Sequence, residues 1–116
     1  MAEGLEVQSR KEGDIGLVAT DGYINNTGAE KIADVCTEML DQGVKRYLLN
    51  LEKSRIINSI GISILIEVIE KVNAIDGKIA FCCVTPTIEK TFRIMGLLKR
   101  SSVFGTEEEG LAGLKD

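Results

Sequence analysis

The sequence predicts an α/β fold built on a mixed sheet of four to five strands, and three observations carry that expectation. Short apolar runs alternate along the chain with segments of helical periodicity. The first two runs are separated by a tight turn and read as an N-terminal hairpin. The later runs are separated by helical stretches long enough to cross over between parallel strands. The resulting order is β-β-α-β-α-β-α-(β)-α.

Leu5, Val7 and Ser9 alternate with Glu6, Gln8 and Arg10, and after the turn Glu12-Gly13-Asp14 a second run extends from Ile15 to Thr20. Thr27 stands three residues before Glu30, the spacing of a capping box. Beyond it Ile32, Val35, Cys36, Met39 and Leu40 form an apolar helical stripe that Gly43 ends. Tyr47 to Leu51 suits a central strand covered on both faces. The next segment is rich in β-branched residues, but on a 100° wheel Ile62, Leu65, Ile66, Ile69 and Val72 share one arc and Ser63, Glu67, Glu70, Lys71 and Ala74 the opposite one. A strand would mix the two sets, so the segment is a helix. An Asp76-Gly77 turn leads to a buried strand over Lys78 to Val84. Thr85 then caps a helix with Pro86 at its first position, Ile88, Phe92 and Met95 facing inward, and Gly96 at its end. A short extended piece around Val103 and Phe104 precedes a second capping box, Thr106 and Glu109, and a terminal helix anchored by Leu111 and Leu114.

Composition narrows the function. The 116 residues suit one domain spanning 1–116, with enough apolar content for a core without disulfides or a structural metal. A net charge of -4 has the wrong sign for binding nucleic acid through its phosphates. Histidine is absent, which removes the commonest general base and metal ligand. Cys36, Cys82 and Cys83 lack C-x-x-C spacing, so neither a metal site nor a thioredoxin-type pair is expected. No P-loop run surrounds Gly61 or Gly77, and no cofactor is expected. The mainly apolar stretch from Ile60 to Ile69 is too short to cross a bilayer, and free thiols fit a reducing cytoplasmic setting.

One loop is chemically distinctive: Ile56-Ile57-Asn58-Ser59-Ile60-Gly61, between the central strand and the isoleucine-rich helix. Ligands and contacts in such sheets gather beyond the carboxyl ends of the strands. Ser59 falls at or beside the helix start, where unpaired N–H groups and the positive end of the dipole converge. Two readings are compatible there. Asn58 or Ser59 caps the helix, and the Ser59 hydroxyl is a place for a phosphoryl group, which would add up to about two negative charges. Ile60 and Ile64 flank the polar arc, either packing on a neighbouring helix or staying exposed as an apolar patch beside Ser59.

These residues carry a resemblance. Leu48-Leu49-Asn50-Leu51-Glu52 through Asn58-Ser59-Ile60-Gly61-Ile62 is similar to the strand, loop and Asp-Ser-Ser/Thr-Gly-Leu helix start of the STAS domain, within it the bacterial anti-sigma factor antagonists. Asp21-Gly22-Tyr23-Ile24-Asn25, Val84-Thr85-Pro86 and Met95-Gly96-Leu97 resemble further segments of that family. The resemblance spans nearly the whole chain and implies a STAS-like sheet with about four helices packed mainly on one face. It also implies partner switching without catalysis by the domain itself. The unphosphorylated form binds an anti-sigma factor that is a serine kinase, freeing a sigma factor; phosphorylation at Ser59 reverses this, and a cognate phosphatase resets it. Asn25, Asn58, Ser59, Ile60, Gly61 and Ile64 are the implied partner-binding residues. Asn25 and Asn58 stand where the family has Asp, and Ile60 replaces a second hydroxyl. A scaffold or transporter-accessory STAS module with constitutive contacts is the alternative. An enzyme using Cys82 or Cys83 is disfavoured, since both fall in an expected buried strand with no histidine to form a thiolate pair.

Overall fold

The computed structural model of the chain describes residues 5–115. Strands β1 (Glu6–Glu12), β2 (Ile15–Asp21), β3 (Arg46–Lys53), β4 (Lys78–Cys82) and β5 (Ser102–Phe104) form one sheet in that spatial order. The β1–β2 pair is antiparallel and the other three pairings are parallel, so the sheet is mixed and opens on the expected hairpin. Helices α1 (Asn26–Asp41), α2 (Ser59–Ala74) and α3 (Pro86–Ile94) are the parallel crossovers, and α4 (Glu107–Leu114) follows β5.

Alternation along β3 divides the core in two. Tyr47, Leu49 and Leu51 point to the side of α1, α2 and α3, joining Ile32, Cys36, Leu65, Ile69, Val72, Ile88 and Phe92. Leu48 points the other way, to Ile15, Leu17, Ala80, Cys82 and Leu114 beneath α4. Three helices therefore cover one face and one short helix covers part of the other. On the larger face the Phe81 and Phe92 rings lie 5.0 Å apart and tilted by 58°, a favourable edge-on geometry. The Tyr47 hydroxyl, fully buried, donates to the Val44 carbonyl at 2.8 Å. Its pKa is raised by burial first and by nearby Cys36 second.

Helix α4 has only Leu114 and Gly110 fully buried, with Leu111 half-buried. What seats it is closeness rather than apolar bulk. A Cβ on Gly110 would come within 2.7 Å of the Leu48 side chain, so glycine lets the helix backbone settle directly on β3.

Several elements begin or end away from their expected places. Asn25, not Thr27, caps α1: its Oδ1 accepts from Gly28 N at 2.8 Å, and Thr27 lies exposed inside the first turn. Strand β4 stops at Cys82 rather than Val84, because Cys83 adopts a φ of 65° and leaves the extended path. Met95 does not face inward; α3 ends at Ile94, and Met95 follows it as an exposed cap residue. The Thr85 and Thr106 caps stand as expected, accepting from Ile88 N and Glu109 N at 3.1 Å each.

Candidate functional site

The chain builds the starts of α1 and α2 side by side, with the same five-residue device. Ile24-Asn25-Asn26-Thr27-Gly28 and Ile57-Asn58-Ser59-Ile60-Gly61 share the pattern Ile-Asn-x-x-Gly. In each, the asparagine has an extended backbone and its side-chain oxygen accepts from the glycine N–H, at 2.8 Å in α1 and 2.7 Å in α2. An N-cap of this kind satisfies one of the orphan donors at a helix start.

The two devices are joined through their isoleucines. Ile24 and Ile57 form a parallel bridge; Ile24 N donates to Ile56 O at 2.9 Å and Asn58 N to Ile24 O at 3.1 Å. Gly61 fits because it lacks a side chain: a Cβ there would come within 2.7 Å of the Ile24 carbonyl oxygen. Just before this, the Ser54 and Thr20 hydroxyls, both buried, are 2.6 Å apart and tie the loop after β3 to the end of β2.

With Asn58 acting as cap, Ser59 is the first residue of α2 and is exposed. Its hydroxyl makes no hydrogen bond to the described residues, while its carbonyl accepts from Ser63 Oγ at 3.2 Å. Of the two compatible capping residues, the structure uses the asparagine and leaves the serine free. No acidic side chain occupies the first turn of α2. The positive end of the dipole and the first-turn N–H groups not taken by Asn58 thus face solvent beside the Ser59 hydroxyl.

The expected partner-binding residues separate into framework and surface. Asn25 and Asn58 are half-buried caps, and Gly61 is buried at the crossing with Ile24. Ile64 is half-buried against the larger core, whereas Ile60 is 54% exposed, so only Ile60 of that pair stands free. Sequence reasoning named Ile56 and Tyr23 only as members of their segments, not among the partner-binding residues; they are 62% and 46% exposed on the same two loops. A readable signal was there: large apolar side chains in loops beyond strand carboxyl ends, outside any helical or alternating pattern. Ser59, Ile60 and Ile56 lie in one loop and helix start and Tyr23 in the loop bridged to it at Ile24 and Ile57, so an exposed hydroxyl and three large exposed side chains share one end of the sheet.

The remaining candidates lie elsewhere. Cys36 is buried in the core, its thiol pushed up to about 12 by burial. Cys82 is buried and its pKa is also raised, by burial first and then by the neighbouring Cys83. Cys83, however, is half-exposed and lies past the end of its strand rather than inside it. Among the described residues no three metal-ligating side chains converge, and no helix is long and apolar enough to cross a membrane.

Residues 6–110 match the family described as STAS domain. The chain belongs to that family. Within it, the chain is 24% identical over 99 residues to BtrV of Bordetella bronchiseptica, whose name places it among anti-sigma factor antagonists; the match spans 85% of each protein. Among solved STAS structures, an anti-sigma factor antagonist from Mycobacterium paratuberculosis superposes with a TM-score of 0.84 at 17% identity, covering 97% of this chain and 95% of that one. The Bacillus cell-fate determinant SpoIIAA in its phosphorylated form gives 0.76 at 20% identity, over 95% and 100%. The STAS fold of this chain is thereby shown.

Proposed function

We propose that this STAS domain is an anti-sigma factor antagonist that works by partner switching at Ser59. In its unphosphorylated form it binds an anti-sigma factor serine kinase through the surface around Ser59, Ile60, Ile56 and Tyr23, so that a sigma factor is released. The kinase transfers the γ-phosphoryl group of its own ATP to Ser59 Oγ, the complex separates, and a cognate phosphatase restores the hydroxyl.

The observation that carries this reading is the division of labour at the start of α2. Because Asn58 closes the cap, the neighbouring hydroxyl is both exposed and unengaged. A phosphoryl group there adds about 1.5 to 2 negative charges, tolerated within the free domain by the helix dipole and open N–H groups. The exposed side chains of Ile60, Ile56 and Tyr23 make the same charge costly in a complex. They present a partner with an apolar surface, and a dianion buried against it would lose its hydration without gaining a counter-charge. The modification therefore acts on the complex and leaves the fold intact. The names carried by BtrV and by the structural neighbours support the antagonist role.

The test is capture of an ATP-binding regulator by the wild-type domain, Ser59→Asp and Ser59→Ala, with intact-mass measurement after incubation with that regulator and ATP. The wild type is expected to gain one phosphoryl group, mapped to Ser59. The acidic substitution should weaken capture by about tenfold or more, roughly 1.4 kcal/mol, and alanine should leave it unchanged. Equal capture of both variants with no phosphoryl gain would favour a constitutive scaffold or transporter-accessory module.

A further inference from the structure

Consecutive residues of an extended strand point to opposite faces of the sheet, so adjacent cysteines ordinarily keep their sulfurs apart. Cys82 and Cys83 break that alternation. Strand β4 ends at Cys82, and Cys83 takes a φ of 65°, a left-handed backbone that is unfavourable for a residue with a Cβ. Among the described residues Asp76 is the other non-glycine with positive φ, but Asp tolerates this conformation through local hydrogen bonding and cysteine has no such compensation. The break in alternation returns Cys83 to the α4 side of the sheet. It packs there on the cluster that contains Cys82 and Leu114. The turn is held from outside by Cys83 N, which donates to Phe104 O at 3.2 Å.

The two sulfurs differ in access. Cys82 is fully buried, whereas Cys83 is half-exposed at a cleft that it shares with Glu52, Val84, Thr106 and Glu107. Cys36 lies in the other core, among Ile32, Met39 and Tyr47, with no second thiol in its cluster. The chain thus holds one isolated cysteine and one adjacent pair packed on the same cluster, the pair having a half-exposed member and a buried one. Strain on a non-glycine backbone persists when its surroundings over-determine it, and such strain concentrates at functional positions.

We propose that Cys82 and Cys83 form a vicinal dithiol that a peroxide closes to a disulfide between adjacent residues, Cys83 being the thiol attacked and Cys82 the resolving one. Cys83 Sγ attacks the peroxide O–O bond, takes one oxygen as a sulfenic acid, and its proton leaves with the other oxygen as water. Cys82 Sγ then attacks Cys83 Sγ. The S–O bond breaks and a second water departs with the Cys82 proton. Two thiols lose two hydrogens, and one hydrogen peroxide becomes two waters. Both side chains already lie on the α4 side of the sheet, so closing the ring calls for adjustment of the Cys82–Cys83 dipeptide itself. Burial first, and the carboxylates of Glu107 and Glu52 after it, oppose charge on Cys82, which makes the resolving step slow. The site lies where Asn50 Nδ2 donates to Glu107 Oε2 at 3.1 Å, so ring closure is felt at the start of α4. It requires nothing of Ser59.

The test treats the full, reduced chain with hydrogen peroxide, alkylates the remaining thiols after denaturation, and maps the products by mass. The expected product has lost two hydrogens, leaves Cys36 alone alkylated of the three free cysteines, and reverts with dithiothreitol. Cys82→Ala should instead trap a dimedone-reactive sulfenic acid at Cys83, and Cys83→Ala should leave Cys82 reduced. Circular dichroism reports whether each variant folds; if one does not, the wild-type map decides. Oxygen added to Cys83 with Cys82 still alkylated, or a disulfide between two chains, would overturn the assignment.

Discussion

The starts of α1 and α2 are nearly the same object, and they differ where it matters. Both run Ile-Asn-x-x-Gly, both are capped by the asparagine onto the glycine N–H, and the two isoleucines pair with each other. The residues between the fixed positions are Asn26 and Thr27 in one and Ser59 and Ile60 in the other. The framework residues make a rigid ledge from two helix ends, and the variable positions decide what the ledge displays. A hydroxyl at the first helical position next to an exposed isoleucine is found on the α2 side, which is why the proposed switch belongs there.

The glycines should break the equivalence most. A Cβ at Gly61 meets the backbone oxygen of Ile24 at 2.7 Å, whereas one at Gly28 meets the Leu5 side chain at 3.0 Å and Tyr23 O at 3.2 Å. A backbone carbonyl that is itself hydrogen-bonded to Asn58 N cannot yield as a side chain can. Gly61→Ala is expected to cost about 2 kcal/mol, within the range for overpacking, and Gly28→Ala less than about 1 kcal/mol, the gain in helix propensity offsetting part of the crowding. Urea unfolding midpoints measure both. Equal losses would mean that the two helix starts are not joined as rigidly as the Ile24–Ile57 bridge implies.

The same bridge explains what could be read from the sequence and what could not. Apolar runs and helical arcs are local, so the hairpin, the central strand and the amphipathic α2 were legible, as was the exposed loop with Ser59. The start of α1 was not. Thr27 and Glu30 fit a capping-box spacing, yet the helix begins earlier because Ile24 is held by Ile57, thirty-three positions away in sequence (57 minus 24), and Asn25 is thereby set to cap. Cys83 and Val84 are apolar enough to continue a strand, and a positive φ at Cys83 leaves no trace in periodicity. Met95 keeps helical spacing with Phe92 but falls just beyond the last turn. The exposure of Tyr23 and Ile56 was not legible, because an apolar residue in a loop has no period to betray which way it faces.

A second prediction tests the likeness of the caps. Asn25→Ala and Asn58→Ala each remove one side-chain acceptor with almost the same geometry. Each should cost about 1 kcal/mol, as N-cap deletions do, and the two losses should agree to within about 0.5 kcal/mol in thermal or urea unfolding. The consequences for Ser59 should differ. Without its cap the first turn of α2 frays, and phosphoryl transfer to the neighbouring hydroxyl is expected to slow for the Asn58 variant alone.

The smallest effect is the most informative about why this chain has asparagine at the cap. Asn58→Asp preserves the acceptor to Gly61 N and adds a negative charge at the positive end of the α2 dipole. At neutral pH it is expected to raise stability by about 0.5 kcal/mol, within the usual range for charge at a helix start. The introduced carboxylate would be favoured in the folded state, so its pKa falls below the unfolded value of about 3.9. The added stability is therefore present above that value and lost as the pH falls through the lower, folded pKa. Asn25→Asp should behave alike if the two starts are equivalent. On the α2 side alone the charge adjoins the phosphoryl acceptor, so a phosphorylated Ser59 should repel it. Phosphorylation should then lower the stability of the Asn58→Asp variant relative to its unphosphorylated form, while leaving the Asn25→Asp variant unaffected. Equal responses in calorimetry would show that the phosphoryl group does not lie close to the α2 cap, and the functional distinction between the two helix starts would fail.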